Sequence, residues 1–187
     1  SGSLDSGSSV NLDAQCEAAH ALLALAAGNE ALQGLIVRSN GIPPLIELVS
    51  SNNLNTQGAA VRTLWHLASN SENGKLISES GAIQPLSSML SSSEETAQEL
   101  SAIVISRLLK THPSVSQIVA KVGGVIPLAR LLKSGSNTAQ QQAVCAIAEV
   151  GRHPANRSKI ADAGAIPALT ALLTSDVLGT PETAARA

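Results

Sequence analysis

The stretch Gly164-Ala165-Ile166-Pro167-Ala168-Leu169-Thr170-Ala171-Leu172-Leu173 decides the fold, because its first six residues have earlier versions. They read NGIPPL from Asn40, GAIQPL from Gly81 and GGVIPL from Gly123. The closing leucines, Leu45, Leu86, Leu128 and Leu169, are spaced 41, 42 and 41 residues apart. A second landmark keeps the same period. Leu25, Leu67, Leu108 and Val150 each stand near the end of an amphipathic run, at intervals of 42, 41 and 42. Repeats of roughly 40–47 residues with helices inside them belong to helical solenoids.

Each unit reads as three helices. In the unit ending at His112, residues 72–80 form a short first helix with Leu76 and Ile77 inward. Gly81 supplies the tight turn, since glycine accepts backbone angles that other residues resist. Residues 82–90 form the second helix, with Ile83, Leu86 and Leu90 on one stripe at spacings of three and four. Residues 91–93 make a polar turn, and Ser93 is placed to cap a third helix that runs to about Leu109. Glu94 and Glu95 open that helix, where its dipole favours acids. Pro43, Pro127 and Pro167 fall in first turns of second helices, where a missing N–H costs little. His112-Pro113 and His153-Pro154 fall at matching junctions, where proline ends one helix and starts the next.

A single unit cannot bury its own apolar face, so neighbours must stack into a continuous core. The expected organisation is a flexible tail or cloning remnant over residues 1–10 and one repeat domain over 11–187. Its units span about 11–28, 29–70, 71–112, 113–153 and 154–187. The first and last are incomplete: a third helix opens the domain near Asn11, and residues 180–184 look like the opening of another. The chain therefore reads as a piece of a longer protein, and its uncapped ends are expected to favour self-association.

Composition agrees with an all-helical domain. Apolar residues make up 44% of 187, but aromatics only 1%, with one Trp and no Phe or Tyr. The core must come from Leu, Ile, Val and Ala, which suit closely packed short helices. A net charge of −2 argues against a dedicated nucleic-acid binder. No apolar run reaches the roughly 18 residues of a membrane span. Cys16 and Cys145 lack metal-finger spacing, and two free thiols fit a cytoplasmic or nuclear setting.

The G-[AG]-[IV]-P-x-L turn and the small-residue helices resemble armadillo repeats over almost the whole chain. The likeness is strong from Ala155 through Leu173, and it is nearest to plant U-box ubiquitin ligases and the yeast vacuolar armadillo protein. The resemblance implies an all-α, right-handed α-solenoid of about four three-helix units. It implies a groove lined by third helices that binds extended peptides or helices. It implies no enzyme activity and no cofactor. The expected function is a protein-interaction scaffold. The alternatives are the substrate-recognition region of a ubiquitin ligase, or an assembly module using its ends or convex face.

In nuclear-import armadillo proteins the third helix carries a Trp and, four residues later, an Asn. Here the Asn-like places hold Ala24, His66, Arg107 and Glu149, and the Trp-like places hold His20, Arg62, Ile103 and Cys145. Neither ladder is present. Lys110 and Arg152 extend the same face. The centre of the stripe, Arg62, His66, Arg107 and Lys110, is basic, which favours an acidic or phosphorylated protein segment. The plainer reading is a set of solvated charges. Trp65, beside His66, is either an exposed anchor or a ring packed between helices.

Catalysis and metal binding find no constellation. Cys16 and His20 are one helical turn apart, but two ligands are too few for a metal site. Gly123-Gly124 lacks the Lys-Ser/Thr of a phosphate loop. Glu94 and Glu95 are adjacent on a helix and do not face each other as an acid/base pair.

Overall fold

The turn that begins each repeated stretch is a left-handed residue. Gly81, Gly123 and Gly164 have φ of 86°, 81° and 73°, and Asn40 takes the same place at 57°. Asparagine tolerates this region better than other non-glycine residues. The period read from the closing leucines is thus also the period of a backbone conformation.

The computed structural model describes residues 6–173, with side chains from residue 13 onward. The expected tail at 1–5 and the expected helix at 180–184 lie outside the described residues. The helices are α1 (Ser6–Ala26), α2 (Glu30–Arg38), α3 (Ile42–Leu48), α4 (Leu54–Leu67), α5 (Ser71–Glu79) and α6 (Ile83–Met89). They continue as α7 (Glu95–Thr111), α8 (Val115–Lys121), α9 (Val125–Ser134), α10 (Asn137–Gly151), α11 (Arg157–Asp162) and α12 (Ala165–Leu173). A 3-10 turn, Pro154–Asn156, precedes α11. No strand occurs among the described residues. The chain is an all-α solenoid.

The long third helices α1, α4, α7 and α10 lie in a row, each packed on the next. The second helices α3, α6 and α9 back them on one side. The core between these layers is one continuous cluster. Leu64, Ile105 and Ile147 occupy one repeated place in it, and Leu67, Leu108 and Val150 another; all are buried. Burying each such side chain stabilises the fold by about 1.5–3 kcal/mol before entropy is counted.

Local chemistry sets the helix starts. Asn29 accepts a hydrogen bond from the Leu32 N–H at 3.0 Å, and Asn70 one from the Asn73 N–H at 3.2 Å. Asn53 caps α4 and Ser136 caps α10. Ser136 Oγ also donates to Glu99, which ties the start of α10 to α7. A further repeated place went unread in the sequence. Gln57 Nε2 donates to the Val49 carbonyl at 2.8 Å, and Gln98 Nε2 to the Ser92 carbonyl at 2.6 Å. Both amides latch a third helix to the turn before it. Gln140 holds the corresponding place in α10, with its Oε1 buried and unpaired.

Four expectations change. α1 begins at Ser6, inside the stretch read as a tail. Leu25 is 48% exposed while Ala26 is fully buried. The equivalent caps Asn29 and Asn70 lie 41 residues apart, so Ala26, not Leu25, is the partner of Leu67. Leu76 points outward at 42% exposure. The inward face of α5 is Gly74, Ile77 and Ser78, and an adjacent residue cannot share it. Ser93 does not cap α7: the cap place falls to Glu94, whose side chain makes no capping bond, and Ser92 Oγ instead accepts from the Glu94 N–H at 3.1 Å.

Candidate functional site

The outward face of the third helices brings most of the stripe together. α4 presents Arg62, Trp65 and His66, because residues three and four apart share a helix face. Ser69 follows just past its end. α7 presents Leu100, Ile103, Arg107 and Lys110 beside them. Arg62 and Lys110 are exposed; Trp65, His66, Leu100, Ile103 and Arg107 are half-buried.

Trp65 packs against the core and carries a cation on its face: the Arg107 guanidinium carbon lies 4.7 Å from the ring centroid. Arg107 Nη1 also donates to Ser69 Oγ at 2.9 Å. The indole is therefore held from two directions, and both of the sequence-based pictures of Trp65 are incomplete. It is packed between helices, yet it remains on the open face. His66 meets the Trp65 ring edge-on, with centroids 4.7 Å apart. Burial, and then the nearby Arg107 charge, hold the His66 pKa below its ordinary 6.5. His66 is thus neutral at pH 7, and the basic centre consists of Arg62, Arg107 and Lys110.

Between α1, α4 and α7 lies an open cleft of about 490 Å³. Its walls are Leu23, Ala27, Arg62, Trp65, His66, Leu100 and Ile103. No carboxylate lines it. Leu23 and Ala27 were missed in the sequence, although they follow His20 at spacings of three and seven. His20 is exposed and lines a neighbouring cleft with Arg62, apart from Trp65. Arg62 has no hydrogen-bond or ion-pair partner among the described residues.

The α10 end differs. Cys145 is a half-buried free thiol. Glu149 holds Arg152 in an ion pair at 3.0 Å, so these two charges cancel. Cys16 Sγ lies 3.7 Å from His20 Nδ1, and no group of three metal-ligating side chains occurs among the described residues. The junction histidines are packed. His112 Nε2 is buried against Gly74, where a side chain would collide with it, and His153 Nε2 lies 2.7 Å from Gln117 Nε2. No helix among the described residues is long and apolar enough to cross a membrane.

The armadillo/beta-catenin-like repeat matches residues 29–69 and 112–150. No curated protein sequence matches the chain. Among solved structures, one engineered protein is 29% identical with a TM-score of 0.84, over 92% of this chain and 42% of that one. This chain thus spans less than half the length of that relative. A second engineered protein is 30% identical with a TM-score of 0.82, over 93% of this chain and 71% of that one. A designed armadillo repeat protein, solved in complex with the peptide (KR)4, shares the fold at 22% identity and a TM-score of 0.80, over 97% of this chain and 76% of that one. With its period, its left-handed turns and its stacked third helices, this chain belongs to the armadillo-repeat family.

Proposed function

We propose that this chain is a non-catalytic protein-interaction scaffold that holds an extended partner segment along the open face of its third helices, and that the segment is acidic or phosphorylated. One observation carries the reading: Arg62 borders an apolar cleft that no carboxylate lines, and Arg107 lies on the Trp65 ring that forms one of its walls. Cations beside apolar walls, Arg62 without a partner among the described residues, favour a partner of opposite charge. The designed relative is solved with a basic peptide. A peptide is therefore an occupant this fold accommodates, and the charges here call for the opposite sign. A ubiquitin-ligase role would use the same surface for substrate, with the chemistry supplied by another domain.

The test is an array of acidic, phosphorylated and basic peptides probed with the wild type and with Arg62→Ala plus Arg107→Ala. Hydrogen bonds to charged groups contribute about 1.5–3 kcal/mol each, so the double variant should lose at least about tenfold in affinity for acidic segments. An array unchanged by the double substitution overturns the reading.

A second reading has its own observation. Leu35 on α2 and Leu76 on α5 are 51% and 42% exposed at equivalent places, on first helices away from the cleft. They support assembly through the convex face. Leu35→Ser plus Leu76→Ser would then abolish partner capture while the arginine substitutions leave it intact.

A further inference from the structure

We propose that the cleft between α1, α4 and α7 is an anchor subsite: it takes one apolar side chain, of leucine size, from a partner segment whose neighbouring residue places a carboxylate on Arg62. The proposal rests on the acidic-segment reading above and adds a demand that reading lacks, an apolar residue at a fixed place.

Shape comes first. A cleft of about 490 Å³, open to solvent, has ample room for a leucine-sized side chain, so its walls rather than its volume set what it takes. It is far larger than a gap between packed helices, and it is open to solvent on the face where the stripe lies.

The walls decide what enters. Leu23 and Ala27 close one side, Leu100 and Ile103 the other, and Trp65 stands between them. These groups are wetted in the free protein, and an apolar side chain seated among them removes that contact with water. A basic side chain in this cleft would meet Arg62, and the carboxylate of Glu94 belongs to the lining of the neighbouring cleft. A wholly acidic segment would satisfy Arg62 and leave the apolar walls wet. A segment with both characters satisfies both requirements.

Pre-ordering supports the same conclusion. The Arg107 guanidinium lies on the Trp65 ring and is itself held by Ser69. The wall is therefore set before a ligand arrives, and little rotamer freedom remains to be lost on binding. Arg62 is in the opposite condition, exposed and without a partner among the described residues, so its donors are available to a carboxylate. The neutral His66 keeps the interior of the cleft uncharged while its rim is cationic.

The experiment uses the full chain and a display library of randomised octapeptides. The expected enrichment is Leu, Ile or Met next to Asp or Glu. In a selected peptide, replacing the apolar residue with Ala should weaken binding by about tenfold or more. Replacing the acid with its amide should weaken binding to the wild type but not to Arg62→Ala, a coupling that a double-mutant cycle isolates. Emission from Trp65 should shift to the blue on binding, as its edge leaves water. Ala27→Glu lies just past the end of α1 and is exposed. It should leave the circular dichroism spectrum and the melting temperature unchanged while removing the apolar preference.

Selected peptides that are acidic, show no apolar preference and still require Arg62 and Arg107 would overturn the anchor and leave the acidic-segment reading standing. Enrichment of basic peptides, or no enrichment, would overturn both.

Discussion

The α4–α7 stretch and the α10 stretch are built on the same repeat and present opposite surfaces. Inside, Leu64, Ile105 and Ile147 are interchangeable members of one core. Outside, the first stretch offers an apolar cleft bordered by Arg62, with Arg107 on its tryptophan wall, while the second offers a half-buried thiol and an ion pair that cancels itself. The difference shows where the repeat constrains the chain. Stacking fixes the inward residues, because each unit must cover its neighbour. It leaves the outward residues free, so recognition can be concentrated in part of a uniform scaffold.

The largest effects should fall where the two regions agree. Ile105→Ala and Ile147→Ala each remove a buried side chain from the same repeated place. Each should lower stability by about 2–5 kcal/mol in denaturant titration. Similar losses would place both stretches in one cooperative core. A loss at Ile105 with almost none at Ile147 would mean that α10 unfolds separately, and the shared-core half of the comparison would fall.

Charge reversal probes the surface on which they differ. Arg62→Glu combined with Arg107→Glu places carboxylates where an acidic segment is expected. Like-charge juxtaposition costs several kcal/mol, so binding should fall on the order of a hundredfold by fluorescence anisotropy. Arg152→Glu makes the same kind of change beside α10 and should alter affinity less than about threefold, since Arg152 is already committed to Glu149. Equal losses at the two ends would abolish the asymmetry.

How much of this could be read from the sequence depends on the distance over which a feature is encoded. The turns were legible because a left-handed slot accepts few residue types, and Asn40, Gly81, Gly123 and Gly164 all satisfy it. The core was legible through helical spacing, although Leu25 was matched with Leu67 and Leu76 was placed inward, where the structure turns Leu25 and Leu76 out. Both errors are one-residue phase slips, which a helix converts into a rotation of about 100°. The contact of Arg107 with Trp65 and Ser69 was not legible, since it joins two units 38 or more residues apart and depends on how they stack. Nor was the cleft: Leu23 looked like any apolar residue of α1 until α4 and α7 stood beside it.

A smaller effect should follow from removing that cross-unit contact alone. Arg107→Ala takes the cation from the indole face and the donor from Ser69. It should lower stability by about 1 kcal/mol and shift Trp65 emission to the red. Arg152→Ala, losing a pair whose arginine side is 77% exposed, should change stability by less than about 1 kcal/mol and leave the emission where it was.

The finest distinction is one of pH. On the α10 stripe, Cys145, Glu149 and Arg152 include no histidine, whereas the α4 stripe carries His66 with a folded pKa below 6.5. Burial is the larger cause and the charge on Arg107 the smaller, and both disfavour the protonated ring. The unfolded chain therefore binds a proton at a pH where the folded chain does not. Stability is undiminished above about pH 6.5 and falls as the pH drops from there through the lowered folded value. Below both values the penalty is complete and stops growing. His66→Gln should flatten this part of the pH–stability profile. Arg107→Ala should narrow it without removing it, because burial remains. A profile through this window that is the same in wild type and His66→Gln would show that the ring titrates as though in water. The cleft wall would then be far more open than its contacts with Trp65 and Arg107 imply.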